Sequence, residues 1–558
     1  MDIIETVRES VIGSEHVVPG PFGPRRCTYA DYTASGRSLT FIEDYIRDMV
    51  MPLYANTHTE SSGTGLQTSK FREDARTIIR TCVNATEEHA VLFVGSGCTG
   101  AIDRMIRVLG LSIPKALDDK YHLTSIIPEA ERPVVFIGPF EHHSNELPWR
   151  ESIADVIKIG EDRDGHIDQA QLAQELAKYA ERPLLIGSFS AASNVTGILS
   201  DTRGIASLLH KHGALSFWDF AAAAPYVNID MSPEEQPDAY KDAIFLSTHK
   251  LIGGPGTPGL LIARKELFTN EVPGVPGGGT VAFVRPDSHE YLADIEHREE
   301  GGTPAIIESI RAGLVFQLKD AVGTDRIRTL EEGFIDRAIT SWQQNPDIEI
   351  LGNPDADRLS IVSFVVKHEG EYLHHNYVVS LLNDLFGIQS RGGCSCAGPY
   401  GHALLGIDDE HSEEIADEVI LGCEGIKPGW IRVNLNYFIS DAVFNFIVES
   451  VHLVATHGWK LLPWYRFNVD TAGWQHVDGR GATPFSLFDI DYDNGSLTYD
   501  ATPERASERD LSRYLDEAQK LFATIDPATG PIAGPIDSTA SFEDLRWFLL
   551  PDEIRSGD

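Results

Sequence analysis

The chain has 558 residues, 42% hydrophobic, 9% aromatic and 23% charged, which supports at least one large buried core and excludes a disordered or fibrous polypeptide. With 46 Lys and Arg against 84 Asp and Glu the formal net charge is −38, so the surface repels phosphate backbones and anionic lipid headgroups, and neither nucleic acid nor a membrane is an expected partner. The acids are spread along the chain rather than gathered in one block, the pattern of a solvated surface.

The first residues, MDIIETVRESVIGSEH, carry acids where a secretory signal needs a basic segment, and no apolar run approaches the length of a membrane helix. The cysteines, at 27, 82, 98, 394, 396 and 423, are too few and too irregular for a disulfide framework. A reducing cytoplasm is the expected compartment. Seven short apolar runs then follow: VLFV (91–94), VVFIG (134–138), VIKIG (156–160), LLIGSF (184–189), LSFW (215–218), IFLS (244–247) and LLIA (260–263). Helical patterns such as TGAIDRMIRVLGL and DTRGIASLLHKHG lie between several of them, so the spacing predicts a mostly parallel sheet covered on both faces. From about Arg311 to Trp459 longer amphipathic helices with fewer strands predict a smaller α+β unit. Beyond Pro463 the chain is rich in Asp, Gly, Thr and Pro, with a helical pattern at ERDLSRYLDEAQKLF, and reads as an appended domain or wrapping tail.

In such a fold chemistry sits in the loops beyond the strand ends. Lys250, in STHKLIGGPGTPG, follows a strand and precedes a glycine-proline loop; alone it is an ordinary surface lysine. Asp219, in WDFAAAAP, ends another strand, where an aspartate is most often a turn or capping residue. Together, an aspartate beneath a pyridinium nitrogen and a lysine about thirty residues on are the pair that pyridoxal 5'-phosphate (PLP) requires. GSGCTGAID (95–103) offers backbone N–H groups and the Thr99 hydroxyl to a phosphate at a helix N-terminus, His142 in FEHHSNELPW offers an imidazole to stack on the ring, and Asn194 in SFSAASNVTG can reach the cofactor or a substrate carboxylate.

The order of these motifs, continued by EEGGTP (299–304), RGGCSCAGP (391–399) and IRVNLNYF (431–438), resembles the class V aminotransferases of PLP fold type I, especially the group II cysteine desulfurases, over roughly residues 29–440. The resemblance implies an aspartate-aminotransferase-like α/β fold: residues 1–40 packing with the small domain, 41–310 forming the large PLP-binding domain, 311–460 the small α+β domain and 461–558 an extension. It implies a Schiff base on Lys250, Asp219 on the ring nitrogen and His142 stacked on the ring. Cys98, Thr99, Ser247 and His249 would bind the phosphate, with Thr303 supplied by the partner subunit of a homodimer. Arg432 would clamp the substrate carboxylate as a fork. Asn194 and His58 would complete the substrate side.

Two departures stand out. Desulfurases read Asp-Gly-Ala-Gln where this chain has Asp219-Phe220-Ala221-Ala222, so the glutamine contact to the cofactor is missing; the altered strand end also looks like the sulfurase domain of molybdenum-cofactor sulfurases. The family's Arg-x-Gly-His-His-Cys-Ala becomes Arg391-Gly392-Gly393-Cys394-Ser395-Cys396-Ala397, placing Cys396 on the nucleophile and adding Cys394. A zinc reading of the two thiols with His402 or Cys423 is short of ligands, and no metal is expected. The implied reaction takes L-cysteine, removes the α-proton with Lys250, transfers sulfur to Cys396 as a persulfide and releases alanine; a sulfur-acceptor protein is the implied partner of the persulfide. Arg391 and Arg432 are the cations placed to favour the attacking thiolate. Alternatives on the same scaffold are a C–S β-lyase, an epimerase or an aminotransferase, and, further off, a non-catalytic sulfur-relay scaffold.

Overall fold

The structure, a computed structural model, describes residues 2–57, 59, 61–479, 485–493, 495–499, 504–531 and 538–556. The chain divides into two compact units, residues 1–12, 32–332 and 355–359 in one, and 13–31, 333–354 and 360–558 in the other. Among the described residues no helix is long and apolar enough to cross a membrane.

In the first unit each of the seven apolar runs is a strand: β1 (His89–Val94), β2 (Val134–Ile137), β3 (Asp155–Lys158), β4 (Leu185–Ser190), β5 (Leu215–Asp219), β6 (Ala243–Ser247) and β7 (Gly259–Arg264). They form one sheet in the order β1-β7-β6-β5-β4-β2-β3. The five strands from β6 to β3 run parallel, and nearly every residue in the central strands is buried, as a sheet covered on both faces requires. β7 is antiparallel to both its neighbours. Its orientation follows from the short Thr248–Pro258 connection, which is too brief for the helical crossover a parallel partner needs.

The helices α1 (Gly63–Cys82), α2 (Gly97–Val108), α3 (Gln169–Lys178), α4 (Thr202–Lys211) and α5 (Ile306–Val322) cover this sheet. Aspartates start two of them: Asp168 accepts from the Ala170 and Gln171 amides at 2.9 Å each, and Asp201 from the Gly204 amide at 2.8 Å. Helix α5 packs on α1 so closely that a methyl group on Gly313 would lie 2.6 Å from Ala75 Cβ. That packing draws the helix into the larger unit, which runs to Glu332.

β1 is an edge strand, and its outward amides are covered by side chains. Glu296 Oε1 accepts from the Val91 N–H and Glu300 Oε1 from the Phe93 N–H, both at 2.7 Å, while Arg76 donates to the Val91 carbonyl. Burial raises the Glu300 carboxyl, but Arg76 and Arg72 beside it outweigh that and hold it below its ordinary value. The acids of EEGGTP therefore anchor the loop that displays Thr303. Glu299 adds bonds from Asn270 Nδ2 (3.0 Å) and the Gly274 amide (2.9 Å).

The second unit is built on an antiparallel sheet of β8 (Ile348–Ile350), β9 (Ile361–His368), β10 (Glu371–Leu373), β11 (Arg391–Gly393) and β12 (Trp430–Asn434), in the order β8-β9-β12-β11 with β10 on β9. Helices α6 (His375–Phe386) and α7 (Asp441–His457) pack with it. The C-terminal residues belong to this unit. Their hairpin of β13 (Tyr465–Asn468) and β14 (Gly473–His476) and helix α8 (Leu511–Thr524) bury Tyr465, Trp474, Tyr514 and Phe522. Residues 13–31 join the same unit, whereas 1–12 and 32–40 belong to the first, so the N-terminal forty residues are shared between the two.

Candidate active site

At one end of the parallel sheet of the first unit, the strand termini bring the expected cofactor residues together. The turn after β1 enters α2 at Gly97, whose φ of +53° suits glycine; a methyl group there would sit 2.6 Å from Ser247 Oγ and 3.9 Å from His249 Nε2. Cys98 N donates to Ser247 Oγ at 2.9 Å, and the Thr99 hydroxyl lies 2.6 Å from Ser144 Oγ. Backbone amides, hydroxyls and the positive end of a twelve-residue helix converge there, a donor set suited to a phosphate.

Asp219 ends β5 with 4% of its surface exposed, and its Oδ1 accepts from the Ala221 amide at 2.7 Å. Burial pushes its carboxyl above the ordinary value, against the Ala221 N–H, the Cys98 thiol and the Lys250 charge. A carboxylate this dry accommodates a cationic ring nitrogen well, and the chain's residues fit PLP on that ground. The Cys98 thiol, fully enclosed beside Asp219, is raised well above its ordinary value and is inert.

Lys250 is half-buried on the turn Thr248–Lys250 that leaves β6. Thr248 Oγ1 ties that turn to the Pro258 carbonyl at 2.5 Å. His249 meets Ser35 Oγ through Nδ1 at 3.1 Å; burial, then the Lys250 charge, lowers it to about 4, so it stays neutral near pH 7. The Gly36 amide donates to the His249 carbonyl at 2.9 Å, and a methyl group on Gly36 would lie 2.1 Å from the Leu251 oxygen. The segment Tyr32–Arg37 thus braces the lysine turn, a role that no local pattern announced.

His142 Nδ1 accepts the Ser144 amide at 3.1 Å, which leaves the proton of a neutral ring on Nε2. Beside it the sequence reasoning missed Glu141. Its Oε1 accepts from the Gly138 and Ser190 amides at 3.2 and 2.9 Å, and its Oε2 from Asn145 Nδ2 at 2.7 Å and Ser190 Oγ at 2.6 Å. Burial pushes this carboxyl up to about 7 despite those bonds. Ser190 faces Asp219 across the β4–β5 register, so the network joins the His142 turn to the aspartate's strand end. Asn194 is buried in the loop after β4, and Thr303 is exposed. His58 lies outside the described residues.

The second unit holds the two arginines expected on the substrate side. Arg432, 3% exposed on β12, is the direct cross-strand partner of Arg391 on β11. Asp31, also missed, takes both: its Oδ1 lies 2.9 Å from Arg432 Nη2 and its Oδ2 lies 3.1 Å from Arg391 Nε. Beyond β11 a turn closes from the Ala397 amide to the Cys394 carbonyl at 3.0 Å, with Ser395 and Cys396 both left-handed at φ +52° and +57°. Cys396 is exposed and Cys394 half-buried, and the helix Gly398–Leu405 follows.

A model of the class-V aminotransferase family matches residues 28–408. Curated relatives include a probable cysteine desulfurase of Streptomyces coelicolor, 25% identical over 67% of this chain and 84% of that protein, and one of Halobacterium salinarum, 26% identical over 69% and 86%. Among solved structures, the apo cysteine desulfurase of Thermococcus onnurineus superposes with a TM-score of 0.64 at 20% identity, over 82% of this chain and 99% of the other. The cysteine desulfurase CsdA of Escherichia coli does so at 0.58 and 20% identity, over 76% and 93%. These structures share the fold type I architecture. Spanning more than half of its length and both of its compact units, the family match establishes that the chain belongs to the class-V aminotransferases, a family of PLP-dependent enzymes.

Proposed function

We propose that the protein is a PLP-dependent cysteine desulfurase that transfers the sulfur of L-cysteine to Cys396 and releases alanine. The observation that carries this reading is the exposed Cys396, held on a left-handed turn that continues the strand paired with that of Arg432. Its relatives, named probable cysteine desulfurases, support the same substrate.

PLP, when bound, supplies an electrophilic carbonyl and an electron sink. Lys250 is assigned its covalent attachment and then the α-proton of the substrate, for which an amine on a braced turn is suited. Asp219 would hold the ring nitrogen's proton, His142 would cover the ring face, and Asn194 would stand at the substrate side. Ser247, His249, Thr99, the Cys98 amide and the N-terminus of α2 hold the phosphate, with Thr303 contributed to the neighbouring subunit of a homodimer. Arg432 takes the substrate carboxylate as a planar fork. The Cys396 thiolate attacks the substrate sulfur: an S–S bond forms, the Cβ–S bond breaks with its electron pair remaining on the carbon fragment, and protonation of that fragment gives alanine. A thiol-bearing acceptor protein removes the persulfide sulfur. Six cysteines, too few and too irregularly spaced for a disulfide framework, support a reducing compartment, the cytoplasm.

One observation favours C–S β-lyase chemistry instead: Ala222, in place of a glutamine, leaves an apolar side chain where desulfurases touch the cofactor. Incubation of the full-length, PLP-loaded protein with L-cysteine and a thiol reductant decides between them. Alanine with sulfide is expected; pyruvate with sulfide transfers the assignment to the lyase.

A further inference from the structure

The C-terminal residues have no part in the chemistry above, yet they form the backing of the strand that leads to the cysteine turn. His374 caps α6, its Nδ1 accepting the Asn376 amide at 3.1 Å and its Nε2 lying 3.3 Å from the Gly425 carbonyl. Its ring is enclosed by four rings from the C-terminal residues: Phe467 at 5.4 Å, Trp474 at 5.9 Å, Trp547 at 5.5 Å and Phe548 at 4.5 Å between centroids. His375 lies parallel to Trp547, 5.8 Å away with 10° between planes. Both imidazoles are kept neutral by burial, which lowers His375 to about 3.

The other edge of His375 meets the backbone of β11. A methyl group on Gly392 would sit 3.2 Å from His375 Cδ2 and 2.3 Å from Asn376 Oδ1. One on Gly429 would lie 2.9 Å from His375 Cε1 and 2.7 Å from the Gly393 Cα. Space for a side chain is closed at Gly392, on β11, first by the Asn376 side-chain amide and at Gly429, just before β12, first by the Gly393 backbone, with His375 close to both. Trp547 is itself fixed, donating from Nε1 to the Ile426 carbonyl at 3.0 Å, and Leu549 N donates to the Tyr372 carbonyl at 2.9 Å. The turn beyond β11 holds two consecutive non-glycine residues in the left-handed region, which persists only where the surroundings over-determine it.

We propose that Trp547 and Phe548 are positioning residues: they hold the His374–His375 ring pair as a rigid backing for Arg391–Gly393, and so keep the Cys394–Ala397 turn in the conformation that presents Cys396. The proposal rests on the reading of Cys396 as the sulfur-accepting thiol, and it gives the C-terminal residues a role in the sulfur-transfer step and none in cofactor binding.

The test compares full-length, PLP-loaded wild type with Trp547→Leu and Trp547→Phe by hydrogen exchange and single-turnover alanine release. In the Leu variant, amides of residues 391–397 exchange about tenfold faster, the size of effect one aromatic stack supports. Alanine release slows comparably while KM for L-cysteine holds, and peptides covering residues 89–94 and 243–250 do not change. Trp547→Phe, which keeps a ring, restores both readouts to near wild type. Phe548→Leu is read in the same way should Trp547→Leu not accumulate as folded protein. Unchanged exchange at 391–397, acceleration spread evenly over residues 361–457, or no rescue by phenylalanine overturns the proposal. A wild type that makes no alanine sinks the desulfurase reading alone, because the exchange result is independent of it.

Discussion

Asp31 lies 2.9 Å from Arg432 and, through its other oxygen, 3.1 Å from Arg391, so one carboxylate bridges two arginines that are direct partners across β11 and β12. Like charges opposite one another destabilise a sheet, and Arg432 is nearly enclosed. Asp31→Ala therefore removes the carboxylate bound to a buried charge and destabilises the second unit by about 3 kcal/mol, read from urea unfolding. An anionic substrate carboxylate replaces part of the missing charge. L-cysteine accordingly raises the Tm of Asp31→Ala more than that of wild type; equal shifts would remove Arg432 from the substrate side.

Glu141 gives a pH signature. Its folded carboxyl titrates at about 7, against an ordinary 4.5, because burial disfavours the charged form. Between those values the folded chain keeps a proton that the unfolded chain has released, so this group's contribution is fully present below pH 4.5 and is lost as pH rises to 7. The full shift corresponds to about 3 kcal/mol. The difference in urea midpoint between wild type and Glu141→Gln should change across pH 4.5–7 and be flat above it. A pH-independent difference would assign the destabilisation to lost hydrogen bonds alone.

The seven strands of the larger sheet were legible because buried parallel strands are continuous apolar runs with turn residues between them, and so was the placement of Asp219 and Lys250 at the ends of two of them. Polar partners were not. Asp31 is 401 residues from Arg432, and its role exists only after two strands pair. Glu141 stands beside His142 in the motif, yet its four hydrogen bonds come from a strand that begins more than forty residues later and from the turn itself. The reversed direction of β7 follows from connection length rather than from composition. Trp547 and Phe548 carry no periodicity, and what gives them meaning is a histidine pair far back in the chain.

Lys250→Ala should keep its fold, since Thr248 Oγ1 on the Pro258 carbonyl holds the turn. Ser247, His249, Thr99 and the N-terminus of α2 are untouched, so PLP still associates but is removed by dialysis. Mass spectrometry after borohydride reduction should find no PLP adduct on the variant and one per chain on wild type. An adduct at normal stoichiometry in Lys250→Ala would move the covalent attachment to another lysine.

The two thiols at the end of β11 separate by position and exposure. Cys396 is exposed, left-handed and followed by Ala397 and the helix that starts at Gly398, whereas Cys394 is half-buried at the first position of the turn. A thiol that must meet both a substrate sulfur and an acceptor protein needs the exposed site. Cys396→Ala should still bind L-cysteine, because Lys250, Asp219 and Arg432 are unchanged, and should release no alanine in a single turnover. Cys394→Ala should keep most of that first turnover and lose onward transfer, because a neighbouring thiol can accept the outer persulfide sulfur by exchange. Mass spectrometry of the wild-type peptide spanning residues 391–399 should find one added sulfur after reaction. If Cys394→Ala alone abolishes alanine formation, the nucleophile is Cys394. If neither substitution matters, no enzyme persulfide forms and the lyase assignment, with Ala222 as its structural basis, takes the place of the desulfurase.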